Sequence, residues 1–120
     1  MEDGLKILVG DDDRVNQLVL QGMLKKLGYE CQVVGTGTEV VEAVSAEAID
    51  VLFLDVQLPD INGFDVVREI RQQHPSTPIK IAFVSGHDAS DFRAEMEELK
   101  VGFFVTKPVT TVALQQVLDA

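Results

Sequence analysis

An α/β protein with a parallel sheet covered on both faces is the fold this sequence predicts, on three observations. Apolar runs of strand length recur five times along 120 residues. Helix-period segments separate them, which calls for parallel strands joined by right-handed crossovers. The central runs are apolar throughout, as strands buried on both faces are.

The strand runs are residues 5–9, 31–34, 51–54, 79–84 and 102–105. The first helix places Val15, Leu18, Val19, Met23 and Leu27 on one face, with Gly28 as its C-terminal stop and Asp13 as its N-cap. Thr36-Gly37-Thr38-Glu39 is a capping box that opens the second helix, with Val40, Val44 and Ala48 inward. The third runs from Gly63 to Gln73, turns Phe64, Val67 and Ile70 inward, and ends before Pro75. The fourth groups Phe92, Met96 and Leu99. The fifth follows Pro108 and carries Ala113, Leu114, Val117 and Leu118. Asp60, Asn62 and Gly63 are turn residues by type.

One domain with one core fits this length. No apolar run nears the roughly 20 residues of a membrane span. The acidic start Met1-Glu2-Asp3-Gly4 is unlike a signal peptide. A single cysteine, Cys31, rules out an internal disulfide framework and fits a reducing cytoplasm. A net charge of −10, from 20 acidic and 10 basic residues, argues against direct contact with nucleic acid. It suits a divalent cation or a basic protein partner.

Polar residues cluster where strands end. Asp11-Asp12-Asp13 follows the first run, Asp55 the third, Ser85 the fourth and Lys107 the fifth. Ligands of open parallel sheets bind beyond those ends. With the first and third strands adjacent, Asp12 and Asp55 share a small cation, and oxygen-only ligation favours Mg2+ or Mn2+. Asp55 is then a candidate nucleophile toward a phosphoryl group. The cation neutralises the incoming charge, Lys107 supplies a point charge, and the Ser85 hydroxyl donates to a phosphoryl oxygen.

In this order the motifs Ile7-Leu8-Val9-Gly10-Asp11-Asp12-Asp13, Leu54-Asp55-Val56-Gln57-Leu58-Pro59-Asp60-Ile61-Asn62-Gly63, Val84-Ser85-Gly86 and Thr106-Lys107-Pro108 resemble the receiver (response-regulator) domain of two-component signalling. The resemblance spans nearly the whole chain, taken as one receiver domain over residues 1–120. It implies a flavodoxin-like doubly wound sandwich with strand order 2-1-3-4-5. It implies that Asp55 takes phosphate from a histidine kinase or histidine phosphotransfer protein. Asp12 would bind the metal directly, Asp11 through water, and the Gln57 carbonyl would be a further ligand. Ser85 and Phe104 would form the switch pair, and Lys107–Pro108 a cis bond. Gln57 and His87 would tune hydrolysis, His87 either shielding water or, when neutral, accepting from it. Turnover would be limited to the domain's own phosphorylation and dephosphorylation. The face of the fourth helix, fifth strand and fifth helix (Arg93, Glu97, Phe104, Gln115) would carry output or a homodimer contact. Gly10 departs from the usual β-branched residue, which implies looser packing there.

Val15-Asn16-Gln17 and Lys26-Leu27-Gly28-Tyr29 look like receivers of hybrid sensor histidine kinases, whose parent chains can be membrane-anchored. A stand-alone or transcriptional receiver is the alternative, and a pseudo-receiver that never takes phosphate is a further one. A haloacid-dehalogenase-type phosphatase needs an aspartate where Gln57 stands. A flavodoxin needs a phosphate loop that Asp11-Asp12-Asp13 would repel.

Overall fold

The apolar runs form β1 (Ile7–Gly10), β2 (Cys31–Val34), β3 (Val51–Asp55), β4 (Lys80–Ser85) and β5 (Phe103–Thr106). They alternate with α1 (Arg14–Lys26), α2 (Gly37–Ala46), α3 (Gly63–Gln73), α4 (Arg93–Leu99) and α5 (Thr111–Asp119). A short 3-10 turn, Ala89–Phe92, leads into α4. This computed structural model describes residues 4–120; the acidic start at residues 1–3 lies outside them. All strand pairs are parallel, in the order β2-β1-β3-β4-β5. The winding reverses between β1 and β3, which opens a crevice at their carboxyl ends.

Helices α1 and α5 cover one face with Leu20, Leu24, Leu114, Val117 and Leu118. Helices α2, α3 and α4 cover the other with Val40, Val44, Val66, Val67, Ile70 and Leu99. Phe53 and Phe83 are fully buried within the sheet, and burying a side chain of that size stabilises by about 1.5–3 kcal/mol. The caps form as expected. Asp13 accepts from the Val15 amide at 2.9 Å, and Thr36 from that of Glu39 at 3.1 Å. Gly28, at φ +98°, ends α1 in a Schellman turn, its amide donating to Lys25 and that of Tyr29 to Leu24.

Three expectations need correction. The buried stripe of α1 is Leu20 and Leu24 flanked by Met23 and Leu27, whereas Val15, Leu18 and Val19 are exposed. Both sets recur at helical spacing, and the sheet selects the one with Leu20, Met23, Leu24 and Leu27 at full i, i+3, i+4, i+7 repeat. Ala48 lies beyond α2 and is exposed; Ala43 and Ile49 take the inward places. Gly10 leaves no loose packing. A β-carbon there would come within 2.7 Å of Val40 and 3.0 Å of Leu54, which already fill the space.

Each of β1, β3, β4 and β5 also extends one residue beyond its apolar run. Gly10, Asp55, Ser85 and Thr106 therefore sit inside the ladder, with their backbones fixed by it.

Candidate functional site

Asp55 ends β3 with only 7% of its surface exposed. One carboxylate oxygen accepts from Lys107 Nζ at 2.8 Å and the other from the Gln57 amide at 2.8 Å. Asp11 is 1% exposed. Its backbone is pinned on both sides, the amide donating to the Val34 carbonyl at 3.1 Å and the carbonyl accepting from Gln17 Nε2 at 2.6 Å. Its Oδ1 accepts from the Asp13 amide at 2.9 Å. Its Oδ2 is buried with no hydrogen-bond partner, 3.5 Å from Lys107 Nζ. Asp12 is exposed, and one oxygen from each of Asp11, Asp12 and Asp55 lies within 4.8 Å of the others.

One amine thus faces two buried carboxylates. Burial raises the Asp11 carboxyl above its ordinary range and the Asp55 charge adds to this, against the pull of the Asp13 amide and Lys107. Burial also works against the Lys107 charge, yet the hydrogen bond and charge of Asp55, then those of Asp11, carry its pKa above the ordinary value. An orphaned buried oxygen beside two further carboxylates is the donor set of a hard divalent cation. The residues present therefore fit Mg2+ or Mn2+, and Gln57 lines the adjoining cavity.

The cluster opens into a cavity of about 320 Å³ that Asn16, Gln57, Ser85, Gly86, His87 and Lys107 also line. Ser85 is buried at the end of β4. Its Oγ accepts from the His87 amide at 3.1 Å, and its carbonyl accepts from the Lys107 amide at 2.8 Å. The Lys107–Pro108 bond is cis. Phe104 is half-buried on β5, its ring 6.0 Å from that of Phe92. Phe92 also meets the His87 ring at 5.8 Å and the Phe64 ring at 5.3 Å. His87 therefore binds the Ser85 hydroxyl with its backbone and an aromatic cluster with its ring. Asn16 and Gln17 entered the sequence reading only through a resemblance. The structure gives the first a place in the cavity wall and the second a bond to the Asp11 carbonyl.

Two further surfaces lie on the helices. On α1, to either side of Asn16, Val15, Leu18 and Val19 are 65%, 51% and 41% exposed. On α4, a hollow of about 290 Å³ is lined by Arg93, Met96, Glu97 and Val101 among others. Among the described residues, no helix is long and apolar enough to cross a membrane.

Residues 7–119 match the family described as response regulator receiver domain. Over 116 residues the chain is 31% identical to the sensor histidine kinase RcsC of Salmonella typhi, covering 97% of this chain and 12% of that one. The chain thus spans about an eighth of the length of that relative. The receiver domain of a sensor histidine kinase from Pseudomonas aeruginosa PAO1, solved with a magnesium ion coordinated in its active-site cleft, is 28% identical. It superposes with a TM-score of 0.87 over 98% of this chain and 96% of that one. A CheY-like receiver domain from Methylobacillus flagellatus is 27% identical, with a TM-score of 0.88 over 98% of each chain.

Proposed function

Because this chain belongs to the response regulator receiver domains, we propose that Asp55 accepts a phosphoryl group from a phosphohistidine of a histidine kinase or histidine phosphotransfer protein. The observation that carries this reading is Asp55 bonded to Lys107 at 2.8 Å, beside an Asp11 oxygen with no partner of its own.

A carboxylate oxygen of Asp55 forms the new O–P bond as the donor's P–N bond breaks, and the imidazole leaves with that electron pair. Lys107 moves its positive charge from the bare carboxylate to a phosphoryl oxygen. A Mg2+ or Mn2+ held by Asp11, Asp12, Asp55 and the Gln57 carbonyl would supply the remaining charge neutralisation. Ser85 Oγ already accepts from the His87 amide, so its own proton remains free to donate to the phosphoryl group. Ser85 moving inward lets Phe104 rotate, and Phe92, which touches the rings of both Phe104 and His87, moves with them. His87 and Gln57, at the rim, set how readily water reaches the phosphoryl group.

The exposed Val15, Leu18 and Val19 suit the donor protein, because they lie on the helix that starts at the cavity mouth. The domain belongs to a hybrid sensor histidine kinase, a reading the kinase relatives support, and faces the cytoplasm. Incubation with Mg2+ and acetyl phosphate should add one hydroxylamine-labile phosphate, detected by intact mass, and none to Asp55→Asn. An unmodified wild-type protein, or a phosphorylated Asp55→Asn, would reject the proposal.

A further inference from the structure

Asp60 bridges two elements, where its residue type suggested only a turn. Its Oδ1 accepts from the Gly37 amide at 2.8 Å. Its Oδ2 accepts from the Thr38 amide at 3.0 Å and the Thr38 hydroxyl at 2.7 Å. The Thr38 hydroxyl, then the Gly37 and Thr38 amides, hold this carboxyl well below the usual range. The contact is close on the apolar side too. A β-carbon on Gly37 would lie 3.0 Å from that of Ile61 and 2.8 Å from Val66 Cγ2.

Asp60 takes the two first-turn amides of α2 that the helix's own cap does not reach. Helix α2 already has its own N-cap in Thr36, and Glu39 reaches back to the Gly35 amide at 3.0 Å. This second acid, brought in from 22 residues away, caps those amides and in doing so ties the segment that carries it to α2. That segment, residues 56–62, joins β3 to α3 and holds the Gln57 backbone at the rim of the acidic cluster. At its root it is held by the Gly63 amide on the Val56 carbonyl at 2.7 Å and by the Gln57 amide on Asp55. Asp60 ties down its outer part.

We propose that Asp60 is a positioning residue, which through α2 fixes the β3–α3 loop and so preorganises the Gln57 carbonyl toward a bound divalent cation. This rests on the phosphoacceptor reading above.

The test is a calorimetric Mg2+ titration of the full chain. Asp60→Ala should weaken Mg2+ binding roughly 10-fold, the low end for loss of a residue that orients a ligand. Thr36→Ala removes the cap of the same helix and should change the affinity by less than about twofold, although it also loosens α2. Equal weakening in both variants would reduce Asp60 to a stability residue and overturn the inference, as would unchanged affinity in Asp60→Ala. Should Asp60→Ala fail to fold by circular dichroism, Asp60→Asn keeps the shape and one acceptor. It should show an intermediate loss, and wild-type affinity there overturns the inference. A wild-type protein that binds no Mg2+ would instead reject the cation site itself, and the inference with it.

Discussion

Replacing Asp11 with asparagine should make the metal-free protein more stable while sharply reducing its response to Mg2+. Asp55, no more than 4.8 Å away, repels the Asp11 charge by at least about 3.5 kcal/mol at an effective dielectric of about 20. Lys107 at 3.5 Å returns about 5 kcal/mol on the same scale. Exposed Asp12 adds a screened repulsion, so the charge terms nearly cancel. What remains is the desolvation of a carboxylate with one unpartnered oxygen, only partly offset by the Asp13 amide. Asparagine keeps that amide bond and sheds the charge, and Lys107 keeps Asp55. The expected gain is about 1–2 kcal/mol, or roughly 4–8 °C in Tm, read by thermal denaturation in EDTA. The sign with pH follows from the raised pKa of Asp11. An acid that holds its proton more tightly when folded lowers stability as pH climbs from its ordinary 3.8 through the folded value. The advantage of Asp11→Asn should therefore be absent in acid and full near neutrality. Mg2+ at tenfold over its Kd should raise wild-type stability by about 1.4 kcal/mol and the variant's by far less. An Asp11→Asn protein that melts at or below wild type in EDTA at pH 7 would refute the reasoning.

Lys107→Met strands two buried carboxylates and should lower stability by about 3 kcal/mol in urea unfolding without divalent cation. Because the folded pKa of Lys107 lies above its ordinary 10.5, that gap should hold through neutral pH and close only as pH rises through the folded value. Gly10→Val forces a side chain into space already held by Val40 and Leu54 and should lose about 1–3 kcal/mol in the same assay. Leu18→Ser, on an exposed face, should change stability by no more than about 0.5 kcal/mol. It should nevertheless slow phosphorylation by a protein donor and leave acetyl phosphate labelling unchanged; equal rates from the protein donor would remove α1 as its docking surface.

Much of the site was legible because strand ends are marked locally. An apolar run followed by Asp55, Ser85 or Lys107 places a polar group at a predictable edge, and parallel connectivity puts those edges together. The sheet order came from resemblance, since the local pattern does not say which strands are neighbours. The face of α1 was misread because that helix is apolar around much of its circumference, and periodicity alone does not rank two overlapping stripes. Leu20 and Leu24 win through contact with the sheet, leaving Val15, Leu18 and Val19 outside. Asp60 was beyond local reading altogether. Its partners Gly37 and Thr38 lie 23 and 22 residues away, and a carboxylate in a turn looks the same whether it faces water or caps a distant helix.

Gly10 was misjudged for a related reason. A glycine in a strand suggests missing packing only if nothing else comes to fill it. At Gly10 the filler is Val40, and at Gly37 it is Ile61 and Val66. Both absent side chains therefore serve one purpose, allowing α2 to sit close to the end of β1 and to the β3–α3 loop at once. That double approach brings the first amides of α2 within reach of Asp60. The acidic pocket gains rigidity at its rim from a helix that contributes nothing to its interior. A cluster of like charges needs such external support, because between the charges themselves Lys107 offers the only attraction among the described side chains that line it.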